Sequence, residues 1–269
     1  VTDNSASLDL TLLKSLLGDA APRFDVDALP VCDSTSSLLM ARAEAGAPSG
    51  SVLVCESQTA GRGRRGRTWI APDGGSLAFS LLWRFPPGAP PPMGLSLALG
   101  VAVARALEEL GVKGVALKWP NDVLMGDRKL AGILVELAPV RHRAMAVVLG
   151  IGLNLALPAD FPDGPDIRAC DLASALPDSP PRVVVLAALL RHLVRVLDAF
   201  QEGGFPALRP DWLARHAHQD RPVRLLDEHA PALEGICRGV DEDGALLLAT
   251  DKGLSRILAG EVSLRRAVP

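Results

Sequence analysis

Between Met93 and Leu110 the chain runs MGLSLALGVAVARALEEL, almost wholly apolar and built from good helix formers, and it stops at Gly111. A helix that is apolar on nearly every side has no face to give to water, so it has to lie between other layers of structure. The remaining sequence must supply those layers. Of 269 residues, 48% are hydrophobic and 22% charged, which suits a folded domain with a real core and not a disordered chain. No apolar run reaches the roughly 18 residues of a membrane helix, because Arg105 interrupts this one and Arg191 stops Val183 to Leu190. No membrane span is expected.

Strand candidates flank the central helix. Leu29 to Cys32, Ser51 to Cys55 and Ser76 to Phe85 precede it, with a helix over Thr35 to Ala47 that has Gly46 as its stop signal. Val115 to Trp119, Lys129 to Leu137 and Met145 to Leu155 follow it, interrupted by Gly132, Gly150 and Gly152, which permit close approach of a ligand or another backbone. Leu157 to Pro181 reads as a loop, Arg182 to Gln201 as an amphipathic helix and Pro210 to Ala217 as a short one, with His216 and His218 as surface histidines. Beyond Gln219 the texture changes to short strand candidates (Val223 to Leu226, Leu233 to Val240, Ala245 to Thr250, Ser255 to Leu258) separated by the turn signals DEHAP, DEDG and DKG. The expectation is an α+β chain of two domains, residues 1–218 and a small β-barrel over 219–269.

Acidic residues outnumber basic ones by 31 to 28, so no whole-molecule field draws polyanions, and any basic site must be local. Cys32, Cys55, Cys170 and Cys237 have no paired spacing, and the first residues lack the positive region of a signal peptide, so reduced thiols and a cytoplasmic location are expected. With neither CxxC nor HExxH present, no local metal-ligand motif is seen.

One such local site stands out. In ESQTAGRGRRGRTW, Glu56 to Trp69, the cations Arg62, Arg64, Arg65 and Arg67 alternate with Gly61, Gly63 and Gly66. Glycines bring backbone N–H groups close to an anion, and guanidinium forks make bidentate contacts with phosphate or carboxylate. An anionic ligand is the direct reading; a basic surface loop or a nucleic-acid patch is the plainer one. The acidic net charge, the lack of tyrosine and an aromatic content of 4% argue against DNA or RNA. The stretch also matches GxGxxG, but a strand follows it and no acidic residue lies between Asp73 and Glu108, so a dinucleotide fold is not expected.

In KWPNDVLMGDRKLAGIL, Lys118 to Leu134, two of the five lysines occur in a chain otherwise rich in arginine. A compact ammonium at Lys118 or Lys129 can serve as a point charge for phosphate or carboxylate, or simply end a strand. Pro120, Asn121 and Asp122 form a turn able to hold an amide and a carboxylate rigidly, or an ordinary Asx turn.

Together these residues resemble the biotin protein ligases, the biotin–[acetyl-CoA-carboxylase] ligases. The resemblance runs in family order through DSTSS (Asp33 to Ser37), ESQTAGRGRRGRTW, KWPNDV, RKLAGILVE (Arg128 to Glu136), GIGLN (Gly150 to Asn154) and GEVSLR (Gly260 to Arg265). It implies a catalytic domain related to class II aminoacyl-tRNA synthetases and lipoyl ligases, then a small SH3-like domain. Only about 30 residues precede the first motif strand, so the form without a helix-turn-helix repressor domain is expected.

By this resemblance, Ser34, Thr35, Ser36, Gln58, Arg62, Gly63 and Arg64 contact biotin or its adenylate, Gly132 and Gly152 line the pocket, and Ile133 and Leu134 wall it. Gly61 and Asn154 join the same binding set, and Arg265 reaches the nucleotide. Ser36 stands where the family often has Asn and keeps a hydroxyl for the ureido ring. Trp69 packs near the nucleotide or serves as a core aromatic beside the loop. The implied reaction joins biotin to MgATP as biotinoyl-5′-AMP with release of pyrophosphate, and a lysine of a biotin carboxyl carrier protein then attacks the mixed anhydride. Two unit charges about 4 Å apart repel by about 4 kcal/mol at an effective dielectric of 20, so bringing a carboxylate to the α-phosphate needs cations. Arg62, Arg64, Arg65, Arg67 and Lys129 are assigned that work. Lys129, Arg64 and Asp122 are the catalytic candidates, with Asp122 orienting or deprotonating the acceptor amine beside Lys118 and Asn121. A lipoate or octanoate ligase and a non-catalytic biotin sensor are the rival readings, and a homodimer is compatible with the strands.

Overall fold

The computed structural model describes residues 8–138, 145–162, 168–176, 178–226 and 231–258, and the backbone of 227 and 262–266. Its larger sheet is built from β1 (Asp25–Cys32), β2 (Ser51–Gln58), β3 (Ser76–Phe85), β4 (Val115–Lys118), β5 (Asp122–Met125), β6 (Arg128–Leu137) and β7 (Met145–Asn154). The helices are α1 (Leu10–Leu17), α2 (Thr35–Glu44), α3 (Leu95–Glu109), α4 (Leu172–Ala175), α5 (Arg182–Gly203) and α6 (Arg209–Leu213). The strands lie in the order β1-β2-β3-β7-β6-β5-β4. β1 and β2 pair in parallel, as a strand–helix–strand crossover through α2 requires, and the other neighbours are antiparallel.

As its composition demands, α3 is enclosed: every residue from Leu95 to Leu107 except Ser96 and Arg105 is buried. Strand alternation then divides the molecule into two layers. Leu77, Phe79, Leu81 and Trp83 of β3 and Val147, Leu149, Ile151 and Leu153 of β7 face the main core with α3 and α5. Leu82, Ala146 and Val148 point the other way, against Leu39 and Ala43 of α2.

The second face carries the feature that positions a site. The register sets Ala78, Gly152 and Gly132 side by side across three strands, and the same row continues to Asp122 and Lys118. In the next row Ser80 pairs with Gly150, and Gly150 with Leu134. These small residues leave the sheet bare, and the space is needed. A Cβ on Gly152 would lie 2.3 Å from the Trp69 ring, and one on Gly150 would lie 2.6 Å from Ser36 Oγ.

The second, smaller sheet contains β8 (Pro222–Asp227), β9 (Leu233–Val240), β10 (Leu246–Thr250), β11 (Gly253–Ile257) and β12 (Val262–Arg266), in the order β11-β10-β9-β8-β12. Its strands are antiparallel and follow the turn signals past Gln219.

Three local expectations need correction. The PND turn is shorter than foreseen, and a strand, β5, begins at Asp122 itself. The helix expected over Pro210 to Ala217 ends at Leu213, after which the chain pairs with β4: Leu117 N–H donates to Arg215 at 2.7 Å, and Ala217 N–H donates to Leu117 at 2.9 Å. That return buries both histidines read as surface residues, leaving His216 8% and His218 7% exposed. The His216 ring lies 4.5 Å from that of Trp212, and burial pushes its pKa down to about 4. Among the described residues, no helix is long and apolar enough to cross a membrane.

Candidate active site

A cavity of about 330 Å³ opens on the α2 face of the sheet, over the row of small residues. Its two ends differ in chemistry. At the first end, Thr35 and Ser36 begin α2 behind the N-cap Ser34, whose hydroxyl accepts from Ser37 N–H at 3.4 Å. Gln58, at the end of β2, accepts from Thr35 N–H at 2.8 Å, so its side-chain oxygen satisfies a backbone donor of the first helical turn. Ser80 reaches up from β3 to both hydroxyls, at 2.8 Å from Thr35 Oγ1 and 3.0 Å from Ser36 Oγ. All three side chains are buried and carry no charge.

At the second end the row finishes in ions. Asp122 stands between Lys129, 2.6 Å away, and Lys118, 3.5 Å away, and its side chain is only 13% exposed. Burial alone would push this carboxyl up, but the two ammonium groups prevail and hold it below the usual carboxylate range. Asn121 fastens the turn to β6, its Nδ2 donating to the Ile133 carbonyl at 2.9 Å and its own carbonyl accepting from Ile133 N–H at 3.0 Å. Its Oδ1 accepts from Arg64 at 3.2 Å. The Arg64 guanidinium is held below its ordinary value by burial, against which Asp122 acts and with which Arg65 and Arg67 act. An arginine remains charged under such a shift.

The arginine–glycine segment is a closed loop. Trp69 N–H donates to Gly61 at 2.9 Å and Gly63 N–H to Arg67 at 2.7 Å, while Arg65 at φ 61° and Gly66 at φ 68° make the left-handed turn at its tip. A non-glycine residue in that region costs on the order of 1 kcal/mol, which the surrounding bonds must offset. Arg62 bonds to Glu136 of β6 and to Ser37 Oγ at 3.3 Å, tying the loop to the sheet. Trp69 lies in the cavity against Gly152 and Gly132, with Lys129 Nζ 5.6 Å from its ring centroid. The ring therefore belongs to the site and not to the main core.

Every residue that the resemblance assigns to the site lines this cavity except Gly61 and Arg265. Gly61 serves the loop, since a Cβ there would lie 2.4 Å from the Trp69 carbonyl oxygen. Arg265 falls in β12, and its side chain lies outside the described residues. Asn154 lines the wall, but its amide donates to the carbonyls of Cys170 at 2.9 Å and Lys129 at 3.3 Å, so it holds the strand carrying Lys129. Sequence reasoning missed Ser80 and Glu136 as site residues and read Gly150 only as a place for close approach of a ligand or another backbone. A serine in the otherwise apolar run of β3, on the face opposite the core, was the available signal for the first.

A neutral hydrogen-bonding end, a floor stripped of side chains and a cationic end with one carboxylate make a pocket suited to presenting an organic acid to a nucleotide phosphate. That chemistry defines an acid-activating ligase. The biotin/lipoate A/B protein ligase family matches residues 28–154, and the biotin protein ligase C-terminal domain matches residues 218–265. The biotin–[acetyl-CoA-carboxylase] ligase of Mycobacterium tuberculosis is 35% identical over 94% of this chain and 93% of its own length. The bifunctional ligase/repressor BirA of Escherichia coli is 38% identical over 90% of this chain and 74% of its own. Among solved structures, the biotin protein ligase of Aquifex aeolicus in complex with biotin and ATP superposes with a TM-score of 0.78 at 33% identity, covering 90% of this chain and 99% of that one. The chain belongs to the biotin protein ligase family.

Proposed function

We propose that this chain activates biotin with ATP and transfers the biotinoyl group to a lysine of a biotin carboxyl carrier protein. It is an ATP-dependent biotin protein ligase, a C–N bond-forming enzyme. The observation that carries the reading is the row Ala78–Gly152–Gly132–Asp122–Lys118, which runs from beside the buried hydroxyls straight to the ions.

In the first step the ureido head of biotin lies at Thr35, Ser36 and Gln58, and its tail runs over the glycines with Ile133 and Leu134 beside it. Its carboxylate then meets the α-phosphate near Lys129 and Arg64, which offset the repulsion of the two anions. Arg62, Arg65 and Arg67 surround the phosphates as pyrophosphate leaves. Asp122 is the one carboxylate among the described residues that line the cavity, and it is already engaged by two lysines. No group of three or more His, Cys, Asp or Glu able to hold a metal occurs among the described residues. Mg2+ enters as part of the MgATP substrate.

In the second step the acceptor lysine, ordinarily deprotonated only to about one part in a thousand at neutral pH, has to present a lone pair. Asp122, kept ionised by its neighbours, accepts a hydrogen bond from that amine and takes its proton as the amine attacks the biotinoyl carbonyl, the acyl–phosphate bond breaks and AMP leaves. The catalytic unit runs to residue 218 and the SH3-like unit from 219, in a cytoplasmic enzyme.

The test is to supply MgATP with biotin or with lipoate and to measure pyrophosphate release and the mass of an apo carrier domain. Turnover with biotin alone, with one biotinoyl group added to the carrier, is expected. Lipoate turnover instead would move the chain to the lipoate branch, and biotin binding without pyrophosphate would make it a sensor.

A further inference from the structure

The turn that carries Asp122 is held from behind by the small domain. Trp119, adjacent to Lys118 in the site, is fully buried, and its indole Nε1 donates to the carbonyl of Gly244 at 3.1 Å. Gly244 ends the turn between β9 and β10, and that turn is rigid. Asp241 Oδ1 accepts from Asp243 N–H at 3.0 Å and from Ala245 N–H at 2.9 Å, Gly244 N–H donates to the Asp241 carbonyl at 3.1 Å, and Arg256 pairs with Asp241 and Asp243. It is also wedged in place: at φ 80°, a Cβ on Gly244 would stand 2.9 Å from both Gly94 Cα and Leu97 Cδ1 at the start of α3. Nearby, Arg209 Nε donates to the Val240 carbonyl at 2.8 Å, a second bond between the domains.

On the catalytic side the same turn is tied to α3, to β6 and to the arginine loop, and Asp122 itself pairs with β4 and β6. Ser96 Oγ donates to the Pro120 carbonyl at 3.1 Å, and Asn121 is bonded to Ile133 and Arg64. A shift of the Trp119 ring therefore passes to Asp122 and Asn121 through a few rigid backbone bonds. By contrast, the hydroxyl end is held by bonds among α2, β2 and β3.

We propose that the small C-terminal domain sets the position of the Asp122 carboxylate for acyl transfer, with Trp119 as the positioning residue and its bond to Gly244 as the link. The inference rests on the ligase reading above. Because the link acts on the turn and not on the biotin end, loosening it slows transfer while leaving biotin affinity intact. A merely structural role would weaken both.

The experiment isolates the second step. Enzyme carrying preformed biotinoyl-adenylate is mixed with apo biotin-carrier domain, and the single-turnover transfer rate and the biotin Kd are measured for the wild type, Trp119→Phe, Gly244→Ala and the double variant. Trp119→Phe keeps an aromatic ring but loses the N–H; Gly244→Ala keeps the indole but displaces its acceptor, so the test survives if either variant folds poorly. Losing one buried hydrogen bond changes a rate by about fivefold. Each single variant is expected to transfer about five- to tenfold more slowly with biotin Kd within about twofold, and the double variant to be no slower than the worse single one, because both break one link. Wild-type transfer rates in Gly244→Ala, multiplying effects in the double variant, or a loss of biotin affinity matching the loss of rate would overturn the proposal. A wild-type protein that transfers no biotin would instead overturn the functional reading.

Discussion

The two ends of the cavity are built on opposite principles. At the α2 end, Thr35, Ser36 and Ser80 form a buried hydroxyl cluster with no charge, held by bonds of 2.8 and 3.0 Å. At the β4–β5 end, two ammonium groups lie within 3.5 Å of one carboxylate, and the loop arginines line the same end of the cavity. Hydroxyls can be buried cheaply when bonded to each other and select a ligand by its hydrogen-bonding pattern. Buried ions are expensive to hold and act most strongly where charge develops during reaction. The division separates recognition from chemistry along one row of the sheet.

That contrast can be broken by substitutions at either end. The largest effect is expected from Asp122→Asn, which leaves two lysines facing a neutral amide and removes the acceptor for the amine proton; transfer from preformed adenylate should fall by about 100-fold or more, read by rapid quench. Lys118→Gln should act next. One of the two cations that hold Asp122 below the ordinary carboxylate range is gone, so its pKa rises and the acid limb of the transfer rate moves to higher pH. An acid limb that stays put or moves to lower pH would count against the assignment of Asp122.

At the neutral end, Ser80→Ala should raise the KM for biotin by about fivefold with kcat unchanged, since it removes the anchor of both α2 hydroxyls and touches no ion. A drop in kcat at constant KM would erase the contrast. Glu136→Gln is expected to be the smallest: the Arg62 side chain is 42% exposed, and a screened pair of that kind contributes under about 1 kcal/mol, so steady-state rates should change by no more than about threefold and the difference should shrink in high salt.

How much of this was written in the sequence depended on whether the signal was chemical or geometric. The arginine–glycine loop and KWPND were legible because cations with glycines, and a lysine with a carboxylate four positions on, are unusual in a chain of this composition. The enclosed α3 was legible because its apolar residues left it no alternative. Ser80 and Gly150 were legible only in part: a hydroxyl in the apolar run of β3 and a glycine open to close approach could be read, but that the two face each other comes from a pairing between strands about 70 residues apart, which no local pattern encodes. His216 was misread for a related reason: nothing nearby announces that the chain leaves α6 after Leu213 and returns to lie along β4. Trp119 was visible as part of a motif, but its partner is 125 residues away in the other domain.

The division of labour between the two ends is tested most directly with Lys129→Gln, whose side chain bonds Asp122 at 2.6 Å and touches none of the α2 hydroxyls' bonds. Biotin binding without nucleotide would be measured by calorimetry, and adenylation by pyrophosphate exchange. The account predicts that exchange falls by about 10²- to 10³-fold while the biotin Kd changes by no more than about fivefold. Equal losses in binding and exchange would contradict it, because recognition and chemistry would then share the same residues.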